Sequence, residues 1–195
     1  MDFMMTKNRM AARVALALAA GAALAGCVPV ALVGGAVGAG TLLMASERRS
    51  NETQEADRTI ENAANEAIVQ ALPGRGHVNL TSFYRKVLVT GEVPTAQDRQ
   101  LVESRIRALP GVQGVVNELA VMPESGPLQR SNDSLITSKV RTRLINQNGV
   151  PSGSIRVMTE RGTTYLMGRL TAQEATLATE VTRQTDGVQR VVRVI

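Results

Sequence analysis

Few side chains in this sequence are placed to do chemistry: Cys27, its one cysteine; His77, its one histidine; and the stripe Leu135, Lys139 and Arg143. A lone thiol cannot close an internal disulfide, so Cys27 is a free cysteine, an intermolecular bridge or the acceptor of a modification. What precedes it favours the last. Lys7, Arg9 and Arg13 make a positive start, residues 14–23 are apolar, and the small Ala25 and Gly26 lead straight into the cysteine, the order of a secretory leader and its cleavage site. The alternative is a cysteine buried in an apolar helix, where it packs as a small hydrophobe.

An enzyme finds little support. His77 follows Gly76 in what reads as a loop, and a base needs a partner that positions it. With one histidine and Cys27 committed, neither a zinc set nor a Cys/His dyad assembles, and the carboxylates look scattered rather than paired. No metal and no cofactor is expected. Gly34, Gly35 and Gly38 have no strand before them and no phosphate-binding lysine after them, so they make no nucleotide loop. A hydrolase built around His77 stands as a third, weakest class.

Composition narrows the partners. Without residues 1–26 the chain keeps 19 basic and 16 acidic residues, a mild excess that falls short of a nucleic-acid footprint. No Trp, two Tyr and two Phe leave few rings for stacking on bases. A nucleic-acid partner is therefore excluded, whereas a small positive excess suits an anionic bilayer.

The elements that position these residues come from a repeat. Asp57 and Ile60 recur as Asp133 and Ile136, 76 residues on, and Gly91 recurs as Gly168 after 77. Gly111 recurs likewise as Gly187. In the second copy, Ser131-Asn132-Asp133 reads as a helix cap, with Ile136, Val140 and Leu144 on one face. Strands follow around an Arg161-Gly162 turn, then a helix capped by Thr171 with Ala175, Ala178 and Val181 inward, then a last strand after Gly187. In the first copy Asp57 opens a helix with Ile60, Ala64, Ala67 and Ile68 inward. A second helix carries Leu101, Val102, Ile106 and Leu109, and residues 112–121 form the closing strand. Its first helix is poorer in large apolar residues, so this copy is expected to be the less stable. Gly91, Gly111, Gly168 and Gly187 serve backbone geometry.

The fold class is therefore α+β: two tandem modules, each helix-strand-strand-helix-strand with both helices on one face of a three-stranded mixed sheet. The expected divisions are 1–26, a leader; 27–50, a flexible apolar tether; 51–121, module 1; 122–130, a linker; and 131–195, module 2. Residues 28–45 are uncharged over 18 positions, the lower limit of a membrane span, so an uncleaved anchor is the rival to a tether. On the first helix of module 2, at about 100° per residue, Leu135, Lys139 and Arg143 line one stripe and Arg141 lies on the other flank. An apolar residue leading a basic stripe suits a peripheral lipid-binding helix; an ordinary domain helix with solvated charges is the plainer reading.

Several of these pieces resemble the BON domain of bacterial envelope proteins, in particular dual-BON outer-membrane lipoproteins: the lipobox-like approach to Cys27, Glu47-Arg48-Arg49-Ser50, the strand ending at Gly91, Ser131-Asn132-Asp133 with Ile136-Thr137, Lys139-Val140-Arg141, and Tyr165-Leu166-Met167-Gly168. The resemblance implies a cleaved signal peptide, an acylated (palmitate-bearing) Cys27 and a periplasmic face on the outer membrane. It also implies a part in envelope integrity, with anionic phospholipid of the inner leaflet bound through Leu135, Lys139, Arg143 and Arg141. Leu135 departs from the aromatic that such proteins tend to carry there. Val28, in place of an aspartate after the cysteine, points by the general sorting rule to the outer membrane. The alternative function is a scaffold that docks envelope or division-site proteins, with the lipid only a tether.

Overall fold

A computed structural model describes residues 47–195; Cys27, the leader and residues 28–46 lie outside the described residues. Helix α1 spans Asn51–Ala71, strand β1 His77–Phe83, β2 Lys86–Val93, α2 Ala96–Arg107, β3 Gly114–Asn117 and β4 Ala120–Val121. The second copy has α3 Pro127–Ile145, a short 3-10 turn Ser152–Ser154, β5 Ile155–Glu160, β6 Thr163–Gly168, α4 Ala172–Arg183 and β7 Arg190–Val194. In both copies the middle strand pairs antiparallel with its hairpin partner and parallel with the strand after the second helix. The α+β class and the repeated order hold.

Local chemistry explains the elements. Ser50 caps α1 by accepting from the Thr53 backbone N–H, and Ile60, Ala64 and Ile68 recur every four residues to bury one face. Thr171 and Glu174 form a reciprocal capping box on α4. Ala175, Ala178 and Val181 then face the sheet, their small side chains letting the helix lie close.

Each sheet uses both faces. Along β2, Val87, Val89 and Val93 point to α1 and α2, while Leu88 alternates to the opposite side. There it joins Phe83 with Tyr165, Met167 and Val194 of module 2 in one apolar cluster. The modules thus pack sheet against sheet, helices outward. The runs Val87-Leu88-Val89 and Tyr165-Leu166-Met167 are apolar without alternation for this reason: each strand is covered on both sides.

Several boundaries differ from those read in the sequence. Helix α1 opens at Asn51, and Asp57 lies within it, buried. Its carboxylate accepts from the Ser82 hydroxyl, the backbone N–H groups of Tyr84 and Arg85, and the Arg49 guanidinium. Asp133 likewise sits inside α3, not at its cap, and accepts from the N–H groups of Arg161 and Gly162. Tyr84, Arg85, Arg161 and Gly162 all have positive φ, so the hairpin turns aim their N–H groups at the helix and the repeated aspartate satisfies them. Helix α3 begins at Pro127, taking the end of the supposed linker, because Gly126 is the cap and proline fits the first turn. Residues 47–50, assigned to the tether, are held: Arg49 is buried against Glu47 and Asp57.

The closing strand of module 1 is split. Leu119 turns into the core and its N–H bonds the Asn117 side chain, so β3 ends and the two-residue β4 pairs β2 separately. The first sheet has four strands rather than three. His77 is no loop residue but opens β1, opposite Glu92.

Candidate functional site

The face of α3 turned from the sheet carries the candidate lipid-facing residues. Ile136, Val140 and Leu144 are buried, which sets Leu135 outward, 59% exposed, with Lys139 exposed one turn on. The earlier helix start adds a residue the sequence reading missed. Leu128 is 86% exposed and, seven residues ahead of Leu135, lies about 20° from it around the axis. The Gly126-Pro127 pair was the signal that could have found it.

Arg143 and Arg141 are placed differently. Arg143 donates to the Gln184 carbonyl at the end of α4, where carbonyls lacking helical partners favour a cation; its side chain stays exposed at the border of the stripe. Arg141 lies on the opposite flank and donates to the Val157 carbonyl at 3.0 Å. It lines, with Arg49, Arg58 and Arg156, an open cleft of about 750 Å³. Burial, together with the like charges of Arg49 and Arg141, holds the Arg156 guanidinium below its ordinary pKa. That crowding of positive charge suits an anionic group.

The segment ahead of α1 is fastened to module 2. The Arg48 N–H donates to the Ser154 hydroxyl at 2.9 Å, and its guanidinium pairs with both carboxylate oxygens of Glu174. The Arg48 hydrogen bonds, then the Thr171 N–H, lower Glu174 to about 2 from 4.5. A depressed carboxylate contributes stability above its unfolded value and loses it as pH falls through its folded value. The clamp is therefore whole above pH 4.5 and released toward pH 2. Because Arg48 is largely exposed, the effect is no more than about 1 kcal/mol. Carboxylate NMR titration is expected to show Glu174 moving up toward 4.5 in Arg48→Ala.

Between the sheets, beside the apolar cluster, lies a polar group. Glu92 is fully buried; Arg161 pairs with its Oε1, and the Ser125 hydroxyl donates to the same oxygen at 2.8 Å. Burial acts to raise Glu92, but these bonds outweigh it and its pKa is lowered. Glu160, buried from the other module, is raised above its ordinary pKa by that burial, although it accepts from the Asn79 amide. The carboxylates that look scattered in the sequence are here brought together. His77, Glu92 and Glu160 have potential ligand atoms all within 4.8 Å of one another.

The two copies are also recognised by comparison with known proteins. The BON domain signature matches residues 56–123 and 132–195. The outer membrane lipoprotein DolP of Haemophilus influenzae is 30% identical over 184 residues, covering 93% of this chain and 94% of its own. A 21 kDa hemolysin of Actinobacillus pleuropneumoniae is 31% identical over 149 residues, covering 75% of this chain and 77% of its own. Among solved structures, CdsD, a structural protein of the type III secretion system of Chlamydia trachomatis, aligns with a TM-score of 0.29 at 11% identity, covering 68% of this chain and 88% of that one. Two matched copies spanning both sheets, and a relative similar along nearly the whole chain, place this protein in the BON-domain family.

Proposed function

We propose that this protein is a non-enzymatic outer-membrane lipoprotein, anchored through an acylated Cys27 and facing the periplasm. In this reading its second module holds anionic phospholipid and thereby helps maintain the envelope. The similarity to an outer membrane lipoprotein supports the compartment, and the leader-like approach to a lone cysteine supports the anchor. Among the described residues no helix is long and apolar enough to cross a membrane. The observation that carries lipid binding is the outward stripe of α3, where Leu128 and Leu135 stand exposed beside Lys139. The leucines would enter the headgroup zone while Lys139 and the border residue Arg143 meet phosphates. Arg141 would act from the cleft on the other flank.

Co-sedimentation of a chain beginning at Ser46 with vesicles tests this. It is expected to prefer anionic over neutral vesicles, and Lys139→Glu combined with Leu135→Ser to weaken anionic binding tenfold or more, at about 1 kcal/mol for each basic residue near the surface. Equal binding to both vesicle types, or by both chains, rejects the lipid role. A second reading, a docking scaffold, is favoured by adjacent Val121 and Met122, both exposed at the end of module 1. One dominant protein adduct in cellular cross-linking that is lost on Met122→Asp would support it.

A further inference from the structure

The histidine and two glutamates between the sheets form a group that the lipid reading does not use. His77 and Glu92 come from paired positions at the edge of module 1, and Glu160 ends β5 of module 2. The His77 Nδ1 is buried and, among the described residues, is the one buried side-chain nitrogen or oxygen without a hydrogen-bond partner. Leaving such an atom buried and unpaired is costly, so its environment calls for an occupant. Nδ1 stands 3.4 Å from Glu92 Oε2. Two ligands on a tetrahedral zinc ion, with bonds of about 2.0–2.1 Å, are about 3.4 Å apart.

We propose that His77 Nδ1, Glu92 and Glu160 bind a divalent transition-metal cation of the zinc class, joining module 1 to module 2. The charge balance favours a cation. Two buried carboxylates face one guanidinium, Arg161, and that group occupies Glu92 Oε1, while Oε2 is turned to the imidazole and accepts one long bond, 3.4 Å, from the Ser125 N–H. Three nitrogen and oxygen ligands with a fourth position for water make an ordinary zinc set, and imidazole with carboxylate suits zinc better than the all-oxygen sites of calcium or magnesium. Binding at Nδ1 puts the ring proton on Nε2. The Asn79 amide, which also lies 3.4 Å from Nε2, donates to Glu160 Oε1 and leaves the other carboxylate oxygen for the metal. Asn79 is thus the outer partner that positions the Glu160 ligand. The site spans both modules, so occupancy stiffens the seam.

The site is independent of the lipid surface, and its failure leaves that reading untouched. The full chain, carrying Cys27→Ala so that no thiol competes, is titrated with Zn²⁺ in a calorimeter and with Co²⁺ followed by visible absorption. One equivalent of Zn²⁺ is expected, with a rise in Tm and a Co²⁺ spectrum of four-coordinate intensity. His77→Ala and Glu160→Gln are each expected to weaken Zn²⁺ binding by at least the 10- to 100-fold that loss of an outer partner alone can cause. In neither variant should Zn²⁺ raise Tm as it does in the parent. Less than one equivalent bound, equal affinity in His77→Ala, or a six-coordinate Co²⁺ spectrum identical in parent and variant overturns the proposal. Should the variants fold poorly, the parent's stoichiometry and Co²⁺ spectrum decide it alone.

Discussion

Asp57→Ala lowers stability by about 3–5 kcal/mol, the cost of leaving a buried charge without one of its partners. The expected fall in Tm is on the order of 10 °C. The carboxylate meets the Arg49 guanidinium at 2.9 Å and also satisfies three donors of the β1–β2 turn. Alanine strands the three donors and leaves Arg49 with Glu47 alone. The same change at Asp133 costs less, about 2–3 kcal/mol, because that carboxylate serves the Arg161 and Gly162 N–H groups and the Gln129 amide but no buried cation. Adding Arg49→Met to Asp57→Ala is expected to recover part of the loss, since removing both members of a buried pair costs less than removing one. Thermal melts of the three variants beside Asp186→Ala, at an exposed position, provide the check. Equal losses at Asp57 and Asp133 would remove the role given to Arg49.

Gly91→Val is expected to cost about 3 kcal/mol or more and to disturb the seam as well as module 1. Gly91 has φ +113°, and a Cβ built there falls 1.9 Å from the His77 carbonyl oxygen. A backbone conformation rarely adopted by side-chain-bearing residues costs on the order of 1–3 kcal/mol, and the obstacle is main chain, which cannot swing aside as a flexible side chain does. The displaced segment carries both His77 and Glu92, on either side of the same strand pair. Gly74→Ala isolates the conformational part: its φ is +66° with nothing within 4 Å of an added Cβ, so about 1–2 kcal/mol is expected. Chemical denaturation of both variants measures the difference. Gly187, recurring from Gly111, differs in kind from its partner. A Cβ at Gly187 would strike Ile136 of α3 at 2.7 Å, whereas one at Gly111 comes no closer than 3.7 Å to Ile60.

What could be read from residues alone was local or repeated. Ile136, Val140 and Leu144 mark their buried face by spacing, and the interval from Asp57 to Asp133 marks the duplication. The meaning of that aspartate was not legible, because an aspartate near a helix start resembles a cap, and only the fold brings a distant hairpin turn over it. Ser131 and Asn132 misplaced the start of α3 for the same reason: cap-forming side chains also occur on exposed helical surface, while Gly126-Pro127 held the true start. On the candidate lipid surface, Leu135 and Lys139 followed from helical geometry, and Leu128 was lost with the misplaced boundary. The seam group lay beyond local reading altogether. Glu92 and Glu160 sit in different copies, and no periodicity relates a strand in one module to the strand it will face in the other.

The packing of sheet on sheet has a consequence for how the two copies can be inherited. Leu88, Phe83, Tyr165 and Met167 are covered in large part because each module lends the other a lid. A gene encoding one copy alone would release a chain with a sticky aromatic and aliphatic wall, prone to self-association. The pair therefore travels as a unit: after duplication, changes at Leu88 or Tyr165 are answerable to the sister copy, and a swap of one module between relatives succeeds only when both halves of that wall are exchanged together.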